Sequence, residues 1–184
     1  MNLFFRLLRI FLGNLFSNDR IGLLDPSELS FRVWLTDQDM FAHMTNSRYL
    51  SFSDLGTINY ILKSGSWGPL RKNGWHPVIC GQTMFISRML STPQKFTLVS
   101  RIVGWDDTYV GLLHEFVRNG EVATQVKVIA RFVSRDRKRV APIDMVNLVE
   151  PGADNPGLDQ DFQDLIDRMN TARANRQKTT SRQS

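Results

Sequence analysis

One long helical pattern is followed in this chain by four strand-like segments in unbroken succession, and that order restricts the folds open to it. The segments are "HPVICGQTMFISRML" (76–90), "KFTLVSRIVGW" (95–105), "TYVGLLHEFVRN" (108–119) and "EVATQVKVIARFVS" (121–134). The last alternates most cleanly: Val122, Thr124, Val126, Val128, Ala130 and Phe132 fall on one face, Glu121, Gln125, Lys127 and Arg131 on the other. "WDDT" and the Asn119-Gly120 pair are hairpin signals. A fifth strand, "ELSFRVWL" (28–35), comes earlier, with Leu29, Phe31, Val33 and Leu35 alternating with polar residues. Between it and the rest lies "NSRYLSFSDLGTINYILKSG" (46–65), which carries Phe52, Leu55, Ile58 and Leu62 on one helical face and Tyr49 a turn before. Thr45 or Asn46 is its N-cap and Gly65 its stop. Gly56 in mid-helix costs up to about 1 kcal/mol relative to alanine, which a close approach by a sheet would justify. The elements therefore predict an α+β domain in which four consecutive strands form an antiparallel meander. One helix cannot cover both faces of five strands, so the sheet must wrap around it and find partner surface at its edge or outer side. That predicts a dimer.

Both ends carry extra sequence. The amino-terminal "MNLFFRLLRIFLGNLF" is too short to span a bilayer and is interrupted by Arg6 and Arg9; it also lacks the layout of a signal peptide. As a helix it gathers Asn2, Arg6, Arg9 and Gly13 into one narrow polar stripe, and apart from Met1 and Asn14 the rest is Leu, Phe or Ile. Two readings stand: a helix lying in a membrane surface with two cationic anchors, or one packed on the body or on a partner subunit. At the other end, "LDQDFQDLIDRMNTA" (158–172) fits a final amphipathic helix. Residues 168–184 hold five Lys and Arg and no acid. The other 18 basic residues balance all 18 Asp and Glu, so the +5 net charge resides in that tail. Such a basic polar tail reads as a solvated end rather than a nucleic-acid arm, and no nucleic acid is expected as a partner. The organisation expected is a helix and linker (1–27), a main domain (28–140) and an extension with a flexible basic tail (141–184).

The single cysteine, Cys80, excludes an internal disulfide and a thiolate metal cluster, and fits a reducing, cytoplasmic setting. It sits in the apolar run "PVIC" and reads as a small buried hydrophobe. His43, His76 and His114 have no metal-ligand spacing, and no G-x-S-x-G, G-x-G-x-x-G or P-loop occurs. No metal or cofactor is expected.

What remains is "TDQDMFAHMTNSRYL" (36–50), where a strand hands over to the long helix. Asp37, Asp39, His43, Thr45 and Asn46 crowd into ten positions, and Asx residues there suit turns and caps. Asp37-Gln38-Asp39, His43-Met44-Thr45-Asn46 and Tyr49-Leu50, in this order of elements, resemble the hotdog-fold acyl-CoA thioesterases of the 4-hydroxybenzoyl-CoA thioesterase-like superfamily. Their pattern is roughly D-x-D-x-x-G-H-x-N-N-x-x-Y-L. The resemblance covers residues 28–134 and looks closest to the thioesterase-superfamily-member-6-like branch.

The resemblance implies a sheet wrapped around one central helix, and assigns Asp39 as the catalytic carboxylate, base or nucleophile, with His43 orienting the loop or the thioester. It implies helix-start amides near Asn46 as oxyanion donors, Thr45, Asn46 and Tyr49 around the substrate, and basic side chains on the CoA phosphates. Arg88, Arg137 and Arg139 are the candidates for that contact, with Arg135 and Lys138 beside them. The chemistry is consistent: a carboxylate can attack a thioester or activate water, and a helix start offers unpaired N–H groups to the developing oxyanion. Asp37 fits better as a loop support. Two departures stand out: Thr45 replaces the first asparagine of the usual pair, and Ala42 replaces a glycine, which restricts the loop if positive φ is needed there. The expected activity is hydrolysis of an acyl-CoA, or an acyl carrier thioester, to the free acid, with coenzyme A as part of the substrate. The alternative is a non-catalytic acyl-binding or membrane-surface protein.

Overall fold

The computed structural model describes residues 3–17 and 19–180. Its elements are α1 (Leu3–Leu15), β1 (Ser27–Arg32), a 3-10 turn (Leu35–Asp37), α2 (Asn46–Lys63), α3 (Trp67–Asn73), β2 (His76–Ile86), β3 (Lys95–Trp105), β4 (Val110–Arg118), β5 (Glu121–Val133), β6 (Arg139–Val140), α4 (Pro142–Val149) and α5 (Gln160–Thr180). The long strands form one antiparallel sheet in the order β1-β3-β4-β5-β2, with β6 returning onto β5. The sheet curls around α2.

Only β3, β4 and β5 form the expected meander. β2 pairs with β5, not with β3, and stands at the sheet's edge. The segment from Ser87 to Gln94 carries the chain back across the sheet to lay β3 beside β1, where Phe31 faces Phe96 in register. The two hairpins are as the sequence reads: Asn119 and Gly120 both adopt positive φ (53° and 80°), and the Asp106 carboxylate accepts the amides of Thr108 and Tyr109. α3 has no counterpart in the sequence reading.

Inside the curl, Phe31, Phe52, Phe96, Phe116 and Tyr49 form a continuous aromatic run with centroids 4.9–5.7 Å apart. Each such side chain contributes about 1.5–3 kcal/mol through burial, so this run seats α2. Gly56 is where helix and sheet come closest: a Cβ there would lie 2.3 Å from Ser100 Oγ and 3.1 Å from His114 Nδ1. The close approach expected from the sequence is thus present, and it is made to a polar spot.

The outer face is partly covered from within the chain. On β5, Ile129 alternates with the inward residues and is buried too. Phe162 and Ile166 of α5 pack with Tyr109, Leu113 and Ile129. Gly111 makes room for them, since a Cβ would meet Leu158 Cδ2 at 2.6 Å. α5 continues to Thr180, so the basic segment from Arg168 begins as helix, where a flexible tail was expected; Arg173 donates to the Tyr109 hydroxyl. Arg182 lies outside the described residues. Cys80 is half-buried beneath α5.

α1 packs on the body. Arg6 is buried (1% exposed) and meets the Asp37 carboxylate with both terminal nitrogens, at 3.0 and 2.5 Å. Its guanidinium lies 4.5 Å from the Phe52 ring centroid. Asn14 donates to Asn59 of α2, and Arg9 to the Ser30 carbonyl. Among the described residues no helix is long and apolar enough to cross a membrane.

Candidate active site

The chain leaves β1 at Arg32, and the Val33 amide is fixed on the Gln94 carbonyl. The 3-10 turn then brings Asp37 inward, fully buried, where one of its oxygens also accepts the Trp34 amide and Arg48 approaches the other at 3.6 Å. Two guanidinium groups and an amide surround this carboxylate, the pairing a buried charge requires. Asp37 is a structural anchor, as its sequence reading suggests.

Asp39 opens a tight loop closed by a bridge between Gln38 and Met44. Its Oδ1 accepts the amides of Phe41 (2.8 Å) and His43 (3.2 Å), and its own amide donates to the His43 carbonyl. The side chain is half-exposed, and no hydrogen bond reaches Oδ2 among the described residues. One carboxylate oxygen fixes the orientation and the other faces outward. Ala42 takes φ 61° to close the loop, the left-handed conformation that favours glycine.

The loop is then pinned onto its surroundings. His43 bridges to Ser91, the Met44 amide donates to Leu90, and Thr45 donates to the Asp37 carbonyl with both its amide and its hydroxyl. Thr45, not Asn46, is the N-cap residue of α2, and no side chain caps the helix. The expectation that Asn46 caps it is therefore corrected: Asn46 is the first helical residue and exposed, and the Thr45 hydroxyl is spent on Asp37. The Arg48 amide donates to the Thr45 carbonyl, and the helix start keeps the Asn46 and Ser47 amides and its positive dipole end available.

Tyr49 is fully buried, and its hydroxyl accepts the Leu90 amide at 3.0 Å. Burial raises its pKa. It braces the segment under the loop and has no surface to offer a substrate. The basic candidates are not gathered within one chain. Arg88 pairs with Glu121 where β5 begins, whereas Arg137 and Arg139 follow its far end. Arg139 donates to Thr108.

A second feature went unread in the sequence. A cavity of about 270 Å³ lies between the carboxyl-terminal half of α2 and the sheet. Ile58, Ile61, Ile79, Leu112 and Val128 are among its apolar walls; Asp54, Thr57 and Ser66 supply the polar ones. Asp54 is open to solvent on one side, yet the protein on the other lifts its carboxyl above its ordinary pKa. Thr57 contacts His114 Nε2 at 3.3 Å, and His114 Nδ1 contacts Ser100 at 2.8 Å. His114 is fully buried, and loss of water lowers its pKa to about 4, so it is neutral at physiological pH. Thr57 donates to the Ser53 carbonyl, which leaves His114 Nε2–H to donate to Thr57 and Nδ1 to accept from Ser100. Gly56, already conspicuous in the sequence, marks the spot.

A curled antiparallel sheet around a central helix, with a carboxylate loop at the helix start, defines a hotdog-like thioesterase fold. The profile of the thioesterase-like superfamily matches residues 33–150, and the chain belongs to that superfamily. It is 27% identical to Protein THEM6 of Danio rerio over 136 residues, 73% of this chain and 66% of that protein. The structure is similar to that of YbaW, a probable thioesterase from Escherichia coli, with a TM-score of 0.63 at 15% identity, over 67% of this chain and 96% of that one. The BH1999 gentisyl-coenzyme A thioesterase gives a TM-score of 0.59 at 16% identity, over 66% and 99% of the two chains.

Proposed function

We propose that this chain hydrolyses an acyl-CoA thioester to a free acid and CoA. The observation that carries the reading is the Asp39 carboxylate, held through one oxygen with the other open, on the loop that leads into an uncapped helix start. In the general-base form, Asp39 takes a proton from a water whose oxygen attacks the thioester carbon. The oxyanion forms against the first amides of α2. It then collapses, the C–S bond breaks, and the thiolate leaves and is protonated. Attack by Asp39 itself gives an anhydride that water resolves to the same products.

The acyl group belongs in the apolar cavity, which lies at the opposite end of α2 from Asp39 in the same chain. A second copy resolves this separation. β2 is an edge strand whose beginning, Pro77 and Ile79, lines the cavity, and whose end leads to Leu90 and Ser91 under the Asp39 loop. Two copies joined antiparallel along β2 set the start of one β2 beside the end of the other. The cavity of one copy then adjoins the Asp39 loop of its mate. The same pairing turns Arg88 of one copy toward the sheet end that carries Arg137 and Arg139 of the other, a basic set suited to CoA phosphates.

The test is free-thiol release from short, medium, long and aromatic acyl-CoAs by the wild type and by Asp39→Asn. Turnover that collapses in a folded mutant establishes the activity and its carboxylate. No release by the wild type from any substrate, in a protein that still binds acyl-CoA, establishes a binding protein instead.

A further inference from the structure

The chemistry of α1 is inside out. Its hydrogen-bonding side chains are used against the body, through Arg6 to Asp37, Arg9 to Ser30 and Asn14 to Asn59. The opposite side exposes Phe4, Phe5, Leu8, Phe11, Leu12 and Leu15, and Phe16 follows, at 40–84% of their full surface. At 100° per residue they occupy an arc of about 140° with no polar member. Arg9 borders the arc and is exposed, with one terminal nitrogen on the Ser30 carbonyl, and residues 1–18 contain no acid. A groove between α1 and α2–α3 continues the surface to Trp67, half-exposed, and to Arg20. Trp and Arg at the margin of an apolar face are the side chains suited to a lipid headgroup layer.

We infer that α1 is an in-plane membrane helix, which seats this protein on the surface of a phospholipid bilayer with Phe4, Phe5, Leu8, Phe11, Leu12 and Phe16 in the headgroup–acyl boundary and Arg9 and Arg20 at the phosphates. At 1.5 Å per residue the helix is about 20 Å long, short of the roughly 30 Å hydrocarbon core, so it lies on the membrane and does not cross it. A lipid surface fits this face better than a second copy. The face is a convex single-helix ridge bordered by cations, whereas β2 already offers a copy the backbone groups of an open sheet edge. The Arg6–Asp37 pair, on the opposite side of α1 from the ridge, fixes the helix to the turn that carries Trp34 and Leu35, exposed at 48% and 72%.

The test is co-sedimentation of the full chain with phosphatidylcholine vesicles and with vesicles containing phosphatidylserine, at low and physiological salt. The wild type is expected to pellet with vesicles, more with the anionic ones. The double variant Phe5→Ser/Leu12→Ser is expected to lose binding about tenfold or more while keeping its melting temperature and its solution mass. Phe85→Ser, more exposed at 69% but on β2, retains vesicle binding. Three results overturn the inference: a wild type that stays in the supernatant with both vesicle types, a double variant that binds like the wild type, or a double variant whose mass in solution falls, which assigns the face to a second copy. Thiol release from soluble acyl-CoA is expected to survive in the double variant, so loss of the membrane reading leaves the catalytic one standing.

Discussion

Asp37 and Asp39 stand one residue apart on the same turn and have opposite surroundings. Asp37 is sealed from water, gripped by Arg6 through two nitrogens and approached by Arg48. Asp39 is half in water, holds two backbone amides with one oxygen and leaves the other open. The first carboxylate has its partners fixed around it, and it is consumed by them. The second is oriented but not consumed. A loop that must present a reactive carboxylate needs both kinds: one that ties it down and one that remains available.

The largest effect should come from breaking the grip on Asp37. Asp37→Ala leaves the buried Arg6 guanidinium without its counter-ion, and a loss of about 3–5 kcal/mol is expected in urea unfolding. Replacing both partners with apolar residues should recover much of that loss. If the single variant is as stable as the wild type, the anchor reading of Asp37 is wrong.

His114 poses the same question for a buried group with no charged partner. Its pKa is near 4 in the fold against 6.5 in an unfolded chain, so the unfolded state binds the proton more readily between those values. Stability should therefore fall as pH drops from about 6.5 to about 4, by roughly 3 kcal/mol in all, and this contribution is flat below. His114→Gln should flatten that dependence in unfolding curves taken across the window.

A smaller effect is expected within the loop itself. Ala42→Gly removes the steric cost of φ 61° and should stabilise the protein by up to about 1 kcal/mol, since the looser unfolded chain takes back part of the gain. A clear destabilisation in thermal melts would show that the loop depends on the Ala42 methyl.

The smallest change in stability is expected at Asp39→Asn. Asparagine keeps the oxygen that accepts the Phe41 and His43 amides, so unfolding should shift by less than about 1 kcal/mol while thiol release falls about 10²–10⁴-fold. A large loss of stability would put Asp39 in the same class as Asp37 and erase the contrast.

Much of the fold was legible because its signals are local. Alternation along residues 121–133, the Asn119-Gly120 turn and Gly56 in mid-helix each state their own conformation or contact. The position of β2 was not legible, because periodicity gives a strand its faces but not its neighbour. The Asp39 loop came from a residue pattern, and Ala42 was correctly suspect. Tyr49 belongs to the same pattern yet is buried, since a motif records residue types and not which way they face. Arg6 read as one member of a polar stripe; that its partner is a carboxylate 31 positions away depends on how α1 lies across the body. Asp54 and Thr57 passed as ordinary helix residues until the sheet closed a cavity over them.

The Arg6–Asp37 pair also bears on where one module ends and another begins. Similarity to the superfamily starts at residue 33, which makes α1 look like an appendage. Electrostatics draws the border elsewhere, because a chain starting after α1 would fold with a buried carboxylate stripped of its closest guanidinium and left with Arg48 at 3.6 Å and the Trp34 amide. By that criterion the first helix is a founding part of the domain, and its loss should be felt first at Asp37 and the turn that leads to Asp39.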